Sequence, residues 1–152
     1  MRIATMKGAL KVKSGHDTCS LSGSILGLPS TFVALGAQVA VNIGGVPATF
    51  TLDTKGHGKS AQGTFDLKLK LVKAKGSKKP AFQGGDTPFK LTLRNGSWTS
   101  IWAADGIDLA KTQASAPFAM TITLSLNGQP YTADLTGTAR TNPKSGATLT
   151  GH

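Results

Sequence analysis

Two histidines are the first residues of this chain that could bind a metal ion or transfer a proton. His16 lies in residues 14–17 and His57 in residues 55–58, both predicted turns. A metal site built on them would also need a carboxylate such as Asp17. The chain has none of the paired His or Cys spacings typical of such sites. We therefore predict exposed turn histidines and no metal or cofactor, and keep a small metal-dependent enzyme using His16 and His57 as an alternative.

The sequence offers no clear nucleophile for covalent catalysis. Cys19 is the single cysteine, and no Gly-x-Ser-x-Gly motif is present. If Cys19 and His16 share a strand, their odd spacing puts the two side chains on opposite faces, so Cys19 is predicted to be an inert, buried or half-buried thiol. The acidic residues are seven aspartates with no pair arranged as the acid and base of a glycosidase. Asp105 and Asp108 flank a predicted helix end, where aspartate commonly serves turn geometry. These patterns favour a non-catalytic protein.

Positive charge is the one strongly biased feature. The 17 Lys and Arg residues outnumber the 7 Asp and Glu residues, which gives a formal charge of +10. Such a charge favours anionic partners. We predict a basic face that binds an anionic polymer or a cell-surface component, the alternative being a solvated face whose lysines block edge pairing. Base recognition favours arginine and exposed aromatic residues, and only three arginines are present, which argues against nucleic acid. The lysines of the predicted face are Lys55, Lys59, Lys68, Lys70, Lys73, Lys75, Lys78 and Lys79.

Trp98 and Trp102 are candidates for stacking on sugar rings. They lie at i and i+4, with Ile101 beside them, and Ser97 and Gly106 are placed to begin and end a short helix over residues 98–105. This spacing is more typical of the apolar side of a helix that closes a core. A carbohydrate-binding module using Trp98 and Trp102 is kept as a second alternative.

The elements that must position these residues are predicted to be β-strands. Apolar and polar residues alternate with period two along most of the chain, for example over residues 10–13, 39–43 and 65–71. Gly44-Gly45 and Asn127-Gly128 each separate two such runs, which is a strong hairpin signal.

Part of the sequence is repeated at an offset of 83 residues. Gly45 aligns with Gly128, Pro47 with Pro130 and Gly63 with Gly146. We predict one antiparallel β-sandwich domain over residues 1–152 that contains two sequence-related units, about 5–72 and 88–151. A polar, glycine-rich connector over 73–87 joins them, and the short helix near 98–105 lies in the second unit.

Residues 44–59 and 63–70 carry a Gly-Gly turn, Thr-Phe-Thr-Leu-Asp, a Lys-Gly turn and Phe-Asp-Leu-Lys-Leu-Lys, and they follow the valine-rich segment 39–43. This order resembles tandem β-sandwich, immunoglobulin-like repeat modules of large secreted or surface proteins of bacteria. Residues 89–93 and 102–107 resemble the second half of such a module. The resemblance implies an extracellular module, and it brings no catalytic residue with it.

The N-terminal ten residues lack the continuous apolar stretch of an intact signal peptide. This is expected either for a cytosolic protein or for a mature piece of a longer chain, and the resemblance favours an extracellular or cell-surface location. No apolar run approaches a membrane-spanning helix, which needs about 20 residues. We therefore expect a binding module for adhesion, assembly or anionic surfaces and polysaccharides, able to form homo-oligomers through its edge strands.

Overall fold

The computed structural model describes residues 1–12, 15–73 and 80–152, and nearly all regular structure within them is β-strand. Ten strands form one antiparallel sheet, with a two-stranded hairpin and a short helix beside it. The all-β prediction and the single short helix are therefore confirmed for these residues. The elements are β1 (Arg2–Leu10), β2 (Asp17–Leu28), β3 (Gln38–Ile43), β4 (Val46–Thr51), β5 (His57–Ser60), β6 (Gly63–Leu67), β7 (Leu71–Val72), β8 (Ala81–Phe82), β9 (Gly85–Gly96), α1 (Thr99–Trp102), a 3₁₀ turn (Ala103–Asp105), β10 (Gln113–Leu126), β11 (Gln129–Asn142) and β12 (Gly146–Gly151).

The large sheet has the strand order β4-β3-β10-β11-β12-β1-β2-β9-β6-β5. Its two outermost strands meet through an isolated bridge between Leu52 and Gly58. The backbone N–H of Asp53 also donates to the His57 carbonyl at 2.8 Å. The sheet is therefore nearly barrel-like, and it does not divide clearly into the predicted sandwich of two units. The reason is that the two halves of the chain pair with each other, β3 with β10 and β2 with β9, which makes one continuous sheet.

The meeting of β4 and β5 shortens the open edge of the sheet. Pro47 lies on β4 and has no N–H to offer a new strand. The side-chain amide of Gln62 donates to the Pro47 carbonyl at 3.2 Å, so that acceptor is also occupied. Self-association through edge strands stays a prediction.

The two predicted hairpin turns are confirmed. Gly44 and Gly45 have φ of 52° and 87° and connect β3 to β4. Asn127 and Gly128 have φ of 50° and 83° and connect β10 to β11. Two successive residues with positive φ are the signature of a type I′ turn, whose twist matches that of the flanking strands.

Two strands end earlier than the alternation predicts. β1 ends at Leu10, because the N–H of Lys11 donates at 2.7 Å to the Asp17 carboxylate rather than to a strand, and Val12 is left 56% exposed. β6 ends at Leu67, because its next ladder position faces Pro88, which has no N–H. The predicted core face of residues 65–71 therefore stops short, and Leu71 is 53% exposed.

The core lies inside the curved sheet. Phe65 stacks between Phe50 and Phe89, with ring centroids 6.0 and 5.7 Å away. Trp102 is fully buried, and its indole N–H donates to the Ile43 carbonyl at 2.9 Å, which ties the helix to the sheet.

Because consecutive strands are antiparallel, their connections alternate between the two ends of the sheet. One end carries residues 29–37, 52–56 and the described parts of 68–84, and we call it the basic end. The other carries residues 97–112, 143–145 and the described parts of 11–16, and we call it the helix end. Among the described residues, no helix combines the length and apolar character needed to cross a membrane.

Candidate functional site

Four lysines of the predicted basic face lie at the basic end. Lys55 is in the turn between β4 and β5, and Lys68, Lys70 and Lys73 follow β6. All four are exposed. The two segments are joined by a backbone hydrogen bond of 2.8 Å from the Leu67 N–H to the Gly56 carbonyl, so Lys68 and Lys55 come from adjacent pieces of chain.

The turn that carries Lys55 is shaped by Asp53. The Asp53 carboxylate accepts the backbone N–H of Lys55 at 2.7 Å and that of His57 at 2.9 Å. The hydrogen bond from the His57 N–H is the main cause that lowers the pKa of Asp53 below its ordinary value. Asp53 thus stays ionised and holds the turn in which Lys55 is displayed.

A second group of cations lies on the outer wall of the sheet. Lys59 points outward from β5, and Lys90 and Arg94 point outward from β9. Lys7 on β1 lies in the same cross-strand row as Lys59. The strand register aligns that row as Lys7, Ser20, Thr92, Thr64 and Lys59.

The remaining members of the predicted basic set are Lys75, Lys78 and Lys79, which lie outside the described residues. Two aspartates accompany the described lysines at the basic end: Asp53, and Asp86, which accepts the Gly27 N–H at 3.2 Å. On the wall, Asp66 neighbours Lys90 across the β6–β9 pair. Cationic side chains therefore outnumber carboxylates at the basic end.

His16 and His57 lie at opposite ends of the sheet. His57 begins β5 and its Nδ1 lies 2.6 Å from Asp66 Oδ1, with both side chains partly exposed on the outer wall. His16 lies in the β1–β2 connection and borders a cavity of about 690 Å³ together with Lys11, Val12 and Lys144. Within residues 1–12, 15–73 and 80–152, no three His, Cys, Asp or Glu side chains are grouped to hold a metal ion.

Asp17, the carboxylate suggested to accompany His16, accepts backbone hydrogen bonds that join three elements of the fold. It is fully buried. Its Oδ1 accepts the Lys11 N–H at 2.7 Å and its Oδ2 accepts the Trp98 N–H at 2.6 Å. Both oxygens are therefore engaged in joining β1, β2 and the start of α1.

Trp98 and Trp102 are buried, with 8% and 0% of their surface exposed. Their ring centroids are 5.3 Å apart, and they close the core at the helix end. This burial leaves no open platform on which a sugar ring could stack. The N-cap of α1 is Trp98 rather than Ser97, whose hydroxyl accepts the Gly15 N–H at 2.9 Å. Gly106, with φ of 99°, ends the 3₁₀ turn that follows α1, at the position where the sequence predicted the end of the helix.

Cys19, Asp105 and Asp108 are the remaining candidate reactive groups. Cys19 is buried, and burial raises the pKa of its thiol to about 12, which keeps the sulfur protonated and unreactive. Asp108 accepts the Ala110 N–H at 2.8 Å, which is the predicted turn role. Burial raises the pKa of Asp105, and its Oδ2 has no hydrogen-bond partner among the described residues.

Two features were missed from the sequence. One is a cavity of about 530 Å³ at the helix end, lined mainly by apolar side chains such as Ile107, Leu109 and Pro143. The other is a group of exposed apolar side chains at the basic end, including Val33 and Leu35. The signal for the second was the apolar run of residues 32–35, which has no polar alternation and joins no predicted strand.

No protein-family model matches the chain, and no curated protein or solved structure shows significant similarity to it.

Proposed function

We propose that this chain is a non-catalytic, extracellular or cell-surface β module that binds anionic polymers or surface components through its basic end. The observation that carries the proposal is the convergence of Lys55, Lys68, Lys70 and Lys73 on one end of a rigid sheet. Exposed ammonium groups on neighbouring loops raise the local positive potential and attract anionic chains over roughly a Debye length, about 10 Å at moderate salt.

The outer wall supports the same function. Its row of Lys7, Ser20, Thr92, Thr64 and Lys59 combines cations with hydroxyl groups, which donate hydrogen bonds to sulfate, phosphate or carboxylate oxygens. A polymer that contacts the basic end can continue along this wall. The wall is a broad surface rather than a closed pocket, which suits a flexible polyanion better than a small substrate.

A non-catalytic role agrees with the surroundings of the reactive groups. The Cys19 thiol is buried and protonated, both oxygens of Asp17 accept backbone N–H groups, and His16 and His57 lie at opposite ends. Neither the metal-enzyme alternative nor the sugar-platform alternative gains a favouring observation from these positions.

We further infer that the two halves arose by duplication. Val41 and Leu124, which the 83-residue offset aligns, face each other across the β3–β10 ladder. Gly63 and Gly146, also aligned, both have positive φ, and a Cβ on either would collide with a backbone carbonyl of the neighbouring strand, that of Thr92 or Leu10. Equivalent glycines in equivalent surroundings support a duplicated β unit.

The polymer-binding proposal predicts salt-sensitive retention on an anionic matrix. The native protein should be retained on dextran sulfate at low ionic strength and released as salt screens the lysines. Uncharged dextran is the control matrix and should not retain it. Retention on dextran sulfate that does not change between low and high salt would contradict an electrostatic contact.

A further inference from the structure

Exposed apolar side chains are concentrated at the basic end. Val33 is 67% exposed, Leu35 65% and Leu71 53%, and Val72 adjoins Leu71 at 40%. We call these four residues the apolar rim. Large apolar groups left in contiguous contact with water usually mark an interaction surface.

The rim is held in place by packing and backbone hydrogen bonds. Val33 and Leu35 point outward, whereas Ala34 between them is buried. The loop is anchored by hydrogen bonds from Gly36 N–H to the Leu52 carbonyl and from Ala37 N–H to the Ala34 carbonyl, both 2.9 Å. The exposure of Val33 and Leu35 is therefore a property of an ordered loop.

The two parts of the rim lie side by side. Phe32, next to Val33, packs edge-on against Phe82 with ring centroids 6.5 Å apart. Phe82 is the strand partner of Leu71 in the β7–β8 hairpin. The Phe32–Phe82 contact thus links the loop that carries Val33 to the hairpin that carries Leu71.

Lysines flank the rim closely in sequence. Lys70 precedes Leu71, Lys73 follows Val72, and Lys68 is two residues before Lys70. Long lysine stems can lie along apolar surface while the ammonium groups reach a polar layer above it. Apolar side chains bordered by cations match the boundary between acyl chains and anionic headgroups. There the apolar side chains contact the acyl chains and the ammonium groups contact the headgroups.

We infer that the apolar rim enters the interface of an anionic lipid bilayer while Lys68, Lys70 and Lys73 contact its headgroups. This inference rests on the proposed function, because it makes an anionic lipid surface the partner of the basic end. It adds an apolar contact that a dissolved polyanion cannot provide. A soluble polyanion and a bilayer should therefore respond differently to changes in the rim.

The test compares vesicles of phosphatidylcholine alone with vesicles that also contain phosphatidylserine. The native protein should sediment with the anionic vesicles only. The double variant Val33→Ser with Leu35→Ser should lower the vesicle partition coefficient about tenfold or more, since it removes two aliphatic side chains that enter the lipid interface. Its retention on dextran sulfate should not change. Val12→Ser, which removes a valine that is 56% exposed at the helix end, is the control.

Each outcome decides the matter. If the native protein binds dextran sulfate but not anionic vesicles, the inference is overturned and the proposed function stands. Loss of both kinds of binding overturns both. Vesicle binding that the double variant and Leu71→Ser leave intact also rules out insertion of the rim. If the native protein dimerises, and the double variant abolishes the dimer but not vesicle binding, the rim belongs to a second copy. Circular dichroism of each variant checks the fold, which these exposed positions should not disturb.

Discussion

At the scale of single residues, Asp105 shows how local surroundings change the pKa of a carboxyl group. It lies in the 3₁₀ turn after α1, and a Cβ on Gly44 would come within 2.6 Å of its Oδ2. Burial raises the pKa of the Asp105 carboxyl above its ordinary value of 3.8. The folded protein therefore binds this proton more tightly than the unfolded chain does.

This shift predicts a pH-dependent stability. A carboxyl whose pKa is raised by folding stabilises the fold fully below its unfolded pKa, and that contribution is lost as pH rises through the folded value. Asp105→Asn should therefore melt at a higher temperature than the native protein at neutral pH, and the difference should vanish below about pH 3.8. Thermal unfolding across acid to neutral pH measures this. Asp134→Asn, at an exposed position of the same depression, is the control; an advantage of Asp105→Asn that is equal at every pH would contradict the assignment.

The sequence predicts many residue roles correctly and misses those that depend on distant contacts. The inert Cys19 follows from strand alternation, and the αL glycine at Gly106 follows from helix-capping preferences. The role of Asp17 could not be predicted, because its partner Trp98 is 81 residues away and meets it only in the folded sheet. The unpartnered Oδ2 of Asp105 could not be predicted either, because its surroundings form only in the folded protein.

At the scale of elements, Asp17 joins the end of β1, the start of β2 and the start of α1. Two backbone N–H groups donate to its carboxylate: that of Trp98, which is buried, and that of Lys11, which is partly buried. Removal of the carboxylate leaves both donors without that acceptor, and an unsatisfied buried donor is costly.

We expect Asp17→Ala to lower the free energy of unfolding by about 2 to 4 kcal/mol, since one buried and one partly buried N–H group lose a charged acceptor. Urea unfolding followed by tryptophan fluorescence measures the change, and Trp98 reports on the same junction. Thr18→Ala, at the exposed neighbouring position, should stay within about 0.5 kcal/mol of the native protein. A loss below about 1 kcal/mol for Asp17→Ala would show that the junction does not depend on this carboxylate.

Element boundaries were less predictable than element types. The β3–β4 and β10–β11 hairpins follow from Gly44-Gly45 and Asn127-Gly128, because glycine and asparagine readily adopt the two successive positive φ values that a type I′ turn requires. The early end of β6 depends on Pro88 in the neighbouring strand, and alternation within residues 65–71 carries no information about that neighbour. Strand pairing between distant segments is the general reason for such errors.

At the scale of the whole molecule, pairing between the two halves decides the architecture. Period-two alternation predicts strands with one buried face, and both a sandwich and a curved single sheet satisfy that pattern. The β3–β10 and β2–β9 pairs make the sheet continuous, and the bridge between Leu52 and Gly58 brings its outer strands together. The β5–β6 hairpin places the segments that carry Lys55 and Lys68 side by side, through the hydrogen bond from the Leu67 N–H to the Gly56 carbonyl.

The basic end was only partly predictable from sequence. The lysine-rich stretch identified the residues, but it suggested a flat face built from strands. Instead, Lys68, Lys70 and Lys73 lie beyond the end of β6. The apolar rim escaped prediction because exposure of Val33 and Leu35 depends on where the loop is anchored, at Leu52.

The central claim, that anionic partners bind at the basic end, is tested most directly by two variants of identical net charge. One carries Lys68→Gln, Lys70→Gln and Lys73→Gln; the other carries Lys11→Gln, Lys111→Gln and Lys144→Gln at the helix end. Both remove three exposed lysines, so the two variants carry the same net charge and lose it at opposite ends of the molecule. The measurement is the salt concentration that elutes each from dextran sulfate. We predict much earlier elution for the first variant and elution close to that of the native protein for the second; equal shifts for both would mean that net charge, and not the basic end, governs binding.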